Sequence, residues 1–600
     1  MKILELDVFI VGAGPTGLAC AALLARDGVK VAAITRYRGF ANSPRAHIIN
    51  QRTMEIFRDL GIEDRVTDAA MPASLMNQVI WAESFAGPEI ARRRGWGGGA
   101  ERRSDYAAAS PCVPTNVPQH VLEPILSDAA EEFGAEIIFN LELVTMRQEP
   151  DRVVSMCRDR VTGDEVEVIS RYAVGADGDN SAVVREIGFE VEGMTGLGHM
   201  LNFWVEADLT KYTAHRPGAL YQIFQPGGRG FTDNAMFVNV RSWTEWVMAL
   251  PYDPAQGEPD RSDAAATRLV RSYVGDPDLP VRLISTSTWT INQVHAEVMH
   301  QGRVVIAGNA AHRHPPAGGL GANTCVQDAY NLAWKLRMLV DGIAGVGVLE
   351  TYSQERAPVA RQIVEGANRS LAALMAIPSA LGVEPGQSVE EGRANLHSRF
   401  DDTVEGAERR RRLAEALKLQ DYNFNALGVE LAHRYESDGI TGDGTTFVPR
   451  RDPDLFYEPT TIPGAPLPHA WVARGVEQLS TLDLAGRGRF TLLTGIGGGR
   501  WRDAAADVAR EFSLPIDVVS IGPGQDVEDP WFDWAELRGI EEDGCLLVRP
   551  DLHIALRVQN ADGDIREALA RALERALARR LPVAGSGSGA HSLARAILEA

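Results

Sequence analysis

The feature that most constrains this chain stands near its N-terminus: Gly12-Ala-Gly14-Pro15-Thr16-Gly17, directly behind an apolar run and ahead of a helical pattern. Residues 6–11 (Leu-Asp-Val-Phe-Ile-Val) read as a buried parallel strand, and residues 15–27 carry small and apolar side chains at helical spacing. Gly28 ends that helix, and residues 29–35 read as a second strand. In such a strand–turn–helix–strand unit Gly12 permits the tight turn, Gly14 lets a pyrophosphate approach the backbone, and Gly17 lets the helix close on the strand. The helix N-terminus then faces the phosphates. The competing reading is a glycine turn without a ligand. An acid normally follows about 20 residues after the glycines, where it binds ribose hydroxyls. Thr35 and Arg36 occupy that place. Thr35 offers a neutral hydrogen-bonding group, and Arg36 faces either the adenosine phosphate or water.

With 600 residues, the chain is too long for one core and predicts two to four domains. Its formal charge of −21 argues against nucleic acid and against an anionic membrane surface, both of which need basic residues. Cys20, Cys112, Cys157, Cys325 and Cys545 are scattered, odd in number and never paired as CxxC. That pattern fits a reducing cytoplasm and no cysteine-based zinc site. No apolar run is long enough to span a bilayer.

Residues 86–104, rich in Gly and Arg, read as a mobile loop. The stretch of roughly 200–290 alternates, as at 201–205 and 235–240, and predicts an antiparallel sheet. Helices are expected over 324–342, 349–382 and 405–420. A Pro-rich break at 449–468 precedes a small α/β unit: strand 489–494, helix 503–512, strand 515–521, and a hairpin of 544–549 with 553–558. A helix over 565–580 follows, then a Gly-Ser-Gly-Ser-Gly linker at 585–589 and a last short helix.

Two further motifs carry chemistry. Gly175-Ala-Asp177-Gly178-Asp-Asn-Ser181 follows an apolar strand and, taken alone, reads as a capped helix start. The third runs Gly308-Asn309-Ala-Ala-His312-Arg-His314-Pro315-Pro316-Ala-Gly318-Gly319-Leu320-Gly321-Ala-Asn323, between a buried strand and a long helix. Such a loop brings backbone N–H groups against a flat, partly anionic ligand. His312 and His314 lack a nearby carboxylate in sequence, so no metal site is expected.

Together, in this order and spacing, the three motifs resemble the class A flavoprotein aromatic monooxygenases, which hold one FAD with a GxGxxG, a DG and a GD motif. Pro44-Arg45-Ala46, Gln51-Arg52-Thr53-Met54-Glu55, Gln119-His120-Val-Leu-Glu123 and Tyr352-Ser-Gln-Glu355-Arg356 are further matches. Pro463-Gly-Ala-Pro466-Leu-Pro468-His469 and Val548-Arg-Pro550-Asp551 are similar to the phenol hydroxylase branch. The resemblance implies an α/β chain with a Rossmann-like, glutathione-reductase-type FAD domain, an antiparallel substrate sheet and a thioredoxin-like tail. The segments would be 1–190 and 291–440 for the FAD domain and its helices, 191–290 for the sheet, and 441–600 for the tail.

By position, Gly12, Gly14, Pro15, Thr16 and Gly17 would hold the pyrophosphate, with Thr35 and Arg36 beside the adenosine. Arg45 and Gln119 would contact FAD, and Asp177 and Gly178 would sit near the pyrophosphate. The stretch containing Pro316, Gly319, Leu320, Gly321 and Asn323 would wrap the isoalloxazine and ribityl chain. The family's Asp of the GD motif is Asn309 here.

The implied reaction is hydroxylation of a phenolic ring, with NADH or NADPH as reductant and O₂ as oxidant, through a flavin C4a-hydroperoxide. His47 falls where the branch has its general base, and imidazole suits that role at a reference pKa of ~6.5. The other reading is that His47 packs against FAD or bonds the backbone. Trp289 falls where the branch has a substrate-binding Tyr, or packs in a core. A larger aromatic or polyketide as substrate, and a flavin reductase without oxygen insertion, stay open. A homodimer is the family's expectation. Gly495-Ile-Gly497-Gly-Gly499-Arg500 in the tail mimics a second fingerprint, but Arg500 takes the place of its third glycine.

Overall fold

Strand Lys2–Val11 ends in four buried residues, Val8 to Val11, and lies in the middle of a sheet. It pairs in parallel with Glu165–Gly175 on one side and Val31–Ile34 on the other. Val304–Ile306 and Glu136–Ile138 extend the sheet, also in parallel. The register aligns Val11 with Gly175 and Ile34, and Gly175 with Ile306. Gly12, Thr35, Asp177 and Gly308 therefore emerge together at the carboxyl edge, where ligands of such sheets bind. Helix Pro15–Arg26 packs between helices Gln119–Glu132 and Gly321–Val340. Small buried residues such as Ala19, Cys20, Ala21 and Ala22 allow the close approach. This is a computed structural model describing residues 2–225, 234–384 and 386–580. The linker and last helix expected after residue 584 lie outside the described residues.

A second sheet of eight strands runs in the order His312–Arg313, Arg282–His295, Glu192–Glu206, Glu245–Tyr252, Asn234–Arg241, Leu220–Phe224, Gln78–Ala82, Glu89–Arg94. The pairings are antiparallel except between Leu220–Phe224 and Gln78–Ala82. The antiparallel expectation for 200–290 holds, while the loop expected at 86–104 is corrected. Those residues form strand Glu89–Arg94 and the start of helix Ala100–Ala109. The run does not float because its glycines are packed. A Cβ on Gly95 would lie 2.9 Å from Phe424, and one on Gly97 2.6 Å from Tyr106. Arg93 reaches Asp421 at 2.5 Å.

Period-two alternation gives the sheet two different faces. Phe203, Tyr221, Phe237, Trp246 and Met248 pack under helix Asp263–Val274, through its Ala266, Val270 and Val274. On the other face Val79, Trp81, Val238 and Val247 pack with Ile48 and with Ile377 of helix Val348–Ala380. Met200, Asn202 and Trp204 are cross-strand partners of Trp289, Ser287 and Ser285 on that second face. It looks toward the first sheet and the loop around residue 45.

The C-terminal part holds a four-stranded sheet ordered Ile516–Ser520, Phe490–Thr494, Cys545–Val548, Ile554–Val558. The first pair is parallel and the next two are antiparallel. Helices Gly499–Phe512 and Ile565–Ala576 pack together beside it.

A buried charge cluster joins this part to the first sheet's helices. The Glu355 carboxylate accepts from Lys335 Nζ (2.7 Å), Arg549 (2.5 and 2.8 Å), Asn331 Nδ2 (2.7 Å) and Ser437 Oγ (2.7 Å). Burial pushes the Glu355 carboxyl up, but Arg549 and Lys335 outweigh it and hold the group well below the usual range. Asp551 balances Arg549 at 2.5 Å. Breaking a buried pair costs ~3–5 kcal/mol because the partner is left charged and dry. Glu355→Ala should therefore lower the thermal melting midpoint by several degrees and loosen the tail first, read as early proteolysis within 441–580. An unchanged midpoint would show that the cluster does not hold the two parts together.

Candidate active site

Each glycine of the first motif has a distinct steric reason. Gly12 has φ +114°, and a Cβ there would fall onto the carbonyl of Ala176. A Cβ on Gly17 would fall onto the carbonyl of Gly12. Gly14 differs: the nearest atom to a Cβ there is Glu123 Oε1, at 3.9 Å. Gly12 and Gly17 thus serve the fold, whereas Gly14 keeps a surface clear at the start of helix Pro15–Arg26. That first turn carries no acidic residue and no side-chain cap, so its N–H groups are available to an anion. Gly308, at φ +62°, brings the third motif against Thr16. These residues fit the pyrophosphate of FAD.

Around this cradle the chain supplies walls. Gln119 donates its backbone N–H to Arg45 O (2.9 Å) and its amide to Glu123 Oε1 (2.6 Å). Glu123 Oε2 accepts from Ala41 N–H at 2.5 Å. Burial raises the Glu123 carboxyl. Glu123 thus fixes the wall opposite Gly14, a role visible in sequence only as part of a matched motif. Arg45 is exposed and spends only its Nε on Ser43 Oγ, at 3.1 Å.

Several of the expected cofactor residues have partners within the chain. Thr35 Oγ1 accepts from Tyr37 N–H at 3.3 Å, and Arg36 lies at the surface, donating to Tyr37 OH at 3.1 Å. The Asp177 carboxylate accepts from Ser181 Oγ (2.5 Å) and Ala182 N–H (2.6 Å), at the start of helix Ala182–Ile187. Its backbone, with Gly178 at φ +80°, packs beside Gly12. Asp177 and Gly178 thus flank the cradle through their backbone, and the carboxylate caps a helix. Asn323 is buried. It accepts from Asn50 N–H (3.0 Å) and donates to Ile48 O (2.9 Å) and Gly319 O (2.7 Å). Its side chain pins the strand at 48–49 to the loop.

Asn309 donates to Asp179 Oδ1 at 3.0 Å. A charged Asp at 309 has no donor for that bond. The fold gives His312 a carboxylate partner distant in sequence: His312 Nε2 donates to Asp328 Oδ2 at 2.7 Å. Asp328 also accepts from Gly308 N–H (3.0 Å) and Arg356 Nε (2.7 Å). Burial pushes Asp328 up, but His312 and Arg356 outweigh it and hold the carboxyl at about 2.

Between the loop at 43–45 and the second sheet lies a narrow crevice with about 10 Å³ of room. Ser43, Pro44 and Arg45 form one wall; Asn202, Trp204, Val247, Ser285 and Ser287 form the other. Trp289 donates its indole N–H to Asn202 Oδ1 at 3.1 Å, which puts it on the same face. Asn202, Trp204, Ser285 and Ser287 were not singled out from sequence. The signal was there, in the alternation around Trp289, but it needed the register with 200–204. His47, two residues beyond Arg45, donates from Nδ1 to Asn116 Oδ1 at 3.1 Å. That bond leaves Nε2 as the ring's basic atom. Burial lowers the His47 imidazole to about 4, against the opposing effect of Asn116, so it is neutral at physiological pH.

Gly495 and Gly497 of the tail are packed by the chain itself, while Gly499 is open. A Cβ on Gly495 would lie 2.6 Å from Glu542 O, and one on Gly497 2.6 Å from Asp543. Arg500 donates to Ala561 O at 2.8 Å. Acidic residues at such a turn disfavour a phosphate. Among the described residues no group of three or more His, Cys, Asp or Glu is placed to hold a metal, and no helix is long and apolar enough to cross a membrane.

The open surface at Gly14 yields a test. Gly14→Ala should leave the far-ultraviolet circular dichroism and melting of the apoprotein near wild type, yet weaken FAD by tenfold or more in a fluorescence titration. Wild-type FAD affinity in this variant would show that the pyrophosphate does not lie over Gly14.

Residues 5–367 match the family model described as FAD binding domain, and residues 460–579 match that of the aromatic-ring hydroxylase C-terminal domain. The chain is 43% identical over 580 residues to the 2,4-dichlorophenol 6-monooxygenase of Cupriavidus pinatubonensis, covering 96% of this chain and 97% of that one. It is 42% identical over 576 residues to the phenol 2-monooxygenase of Pseudomonas sp. (strain EST1001), covering 95% and 92%. The crystal structure of the flavin-dependent monooxygenase PieE, in complex with FAD and substrate, is similar at 44% identity and a TM-score of 0.92, over 96% of this chain and 100% of that one. Aklavinone-11 hydroxylase with FAD and aklavinone follows at 29% identity and 0.79, over 96% and 100%. With a cradle that fits FAD and relatives matched from end to end, the chain belongs to the FAD-dependent aromatic-ring monooxygenases.

Proposed function

We propose that this chain hydroxylates a phenolic ring ortho to its hydroxyl, giving a catechol, with FAD, NADH or NADPH, and O₂. The observation that carries this reading is the neutral, Asn116-fixed imidazole of His47 on the loop that walls the cavity with Arg45. The flavin, when bound, supplies the reduction of O₂ and the transfer of one oxygen atom. The protein supplies the rest. His47 Nε2 accepts the phenolic proton, which makes the ring far more nucleophilic. Trp289 and Trp204 give the ring apolar walls, and the loop at 316–321 with the second sheet keeps bulk water from the reacting edge. Gly12, Gly14, Pro15, Thr16, Gly17, Arg45, Gln119 and Gly308 hold the cofactor, and Pro316, Gly319, Leu320 and Gly321 border its ring.

A second reading has specific support: Asn202, Ser285 and Ser287 make one cavity wall polar. Such a wall suits a larger, oxygen-rich aromatic, and a polyketide substrate is the alternative it favours. The order of the C-terminal sheet supports a thioredoxin-like tail over 441–600, without CxxC and thus structural. We also read 1–190 and 291–440 as the FAD-binding parts, 191–290 as most of the substrate sheet, a homodimer as the assembly, and the cytoplasm as the compartment that five buried thiols fit.

FAD-loaded protein should oxidise NADH or NADPH faster in the presence of phenol, 2,4-dichlorophenol, resorcinol or naphthols, with a product one oxygen heavier by mass. Stimulation by none of these, but by a polycyclic phenol, would favour the second reading. Reductant oxidation without any oxygenated product would leave a flavin reductase. His47→Ala should bind FAD normally and lose tenfold or more in hydroxylation at pH 7. Its rate should recover as pH approaches ~10, where a phenol ionises unaided. In the native enzyme His47 is deprotonated at all pH values above about 4, so its own titration should not limit the rate between pH 6 and 9. Full turnover of His47→Ala at pH 7 removes it from the mechanism.

A further inference from the structure

His314 stands in the third motif, two residues beyond the Asp328-bound His312 and just ahead of the flavin loop, and the reading above gives it no task. Its ring is oriented by a single bond: Nδ1 lies 2.7 Å from Pro315 O. A carbonyl only accepts, so the proton sits on Nδ1 and Nε2 carries a lone pair. Nε2 is buried and has no hydrogen-bond partner among the described residues. It is aimed at the start of helix Gly321–Val340, where a Cβ on Gly321 would lie 3.7 Å away. Burial lowers the imidazole to about 4, against the Pro315 carbonyl, so the ring stays neutral and the acceptor stays available.

A buried acceptor without a donor costs free energy unless a ligand satisfies it. Gly318, at φ +79°, and Gly319, at φ +66° and packed on Ile48, lead into that helix start. FAD offers two kinds of donor there: the isoalloxazine N3–H and the ribityl hydroxyls. We propose that His314 is a cofactor-positioning residue whose Nε2 accepts a hydrogen bond from bound FAD. It fixes the ring against the helix start while His312, two residues earlier, fixes the loop through Asp328. This inference rests on the flavin reading but not on the phenolic substrate, so it is tested without turnover.

The experiment titrates apoprotein with FAD by flavin fluorescence and records the visible spectrum of the bound flavin. His314→Leu should weaken FAD about fivefold to tenfold and shift the flavin bands. His314→Gln, which restores an acceptor, should recover most of the affinity, which a merely space-filling role would not predict. Melting of the three apoproteins separates a folding defect from a lost contact. FAD methylated at N3 then distinguishes the donors. If N3–H is the donor, wild type and His314→Leu should bind the analogue equally; if a ribityl hydroxyl donates, the difference between them should persist. Wild-type FAD affinity and an unshifted spectrum in His314→Leu would overturn the proposal. So would a loss in His314→Gln equal to that in His314→Leu. Absence of phenol turnover with these results intact would strike only the substrate reading.

Discussion

Asp328 is the charge on which the site's geometry hangs. It is fully buried on helix Gly321–Val340, and it accepts from the Gly308 backbone, from His312 and from Arg356. Those three donors come from the end of a strand, from the flavin loop and from the next helix. One carboxylate thereby sets where the loop leaves the first sheet and where it enters the second, since His312–Arg313 is also the edge strand beside Arg282–His295. Arg356 is held in turn by Tyr435 OH (3.2 Å) and Thr324 O (3.3 Å). Its neighbour Glu355 gathers Lys335 and Arg549. Adjacent residues of one helix thus anchor the cofactor loop and the tail. Buried ion pairs of this kind add little net stability over apolar packing, but losing one partner is severe. Their effect here is to select one arrangement of helices and loop.

The active site follows from how two sheets meet. The parallel sheet delivers three loops to its carboxyl edge because its strands are in register at Val11, Gly175, Ile34 and Ile306. The other sheet cannot bury both faces in the same way. One face is sealed by helix Asp263–Val274 over a large apolar cluster, and the other mixes Trp204 and Val247 with Asn202, Ser285 and Ser287. Polar side chains on an inward face are costly unless they meet partners. That face is where an oxygen-bearing ring finds both apolar walls and hydrogen-bonding groups.

The sequence revealed much of this directly. The glycines at 12, 14 and 17 have steric requirements that hold in any such turn, and the apolar periods placed most helices and strands within a few residues. It misled where local composition was overridden by tertiary packing. The Gly/Arg run at 86–104 looked mobile, yet Phe424, Tyr106 and Asn77 press on its glycines. Asp177 and Asn323 were expected beside the cofactor, and the fold adds that their side chains bond groups of the chain itself. The isolated look of His312 vanished because Asp328 lies one helix away in space and sixteen residues away in sequence.

By itself, then, the amino-acid order determined the elements that depend on neighbours in the chain: the glycine turn, the helix it opens, the alternating strands, and the family these motifs resemble. Tertiary structure alone decided which side chains share a space. Trp289, Ser287 and Ser285 meet Met200, Asn202 and Trp204 through strand register, and Glu355 meets Arg549 across nearly two hundred residues. Local periodicity carries no record of such pairings, because register and helix docking are settled by burying apolar faces and pairing buried charges over long separations. That is why the cradle could be read from the chain, and the cavity beside it only from the fold.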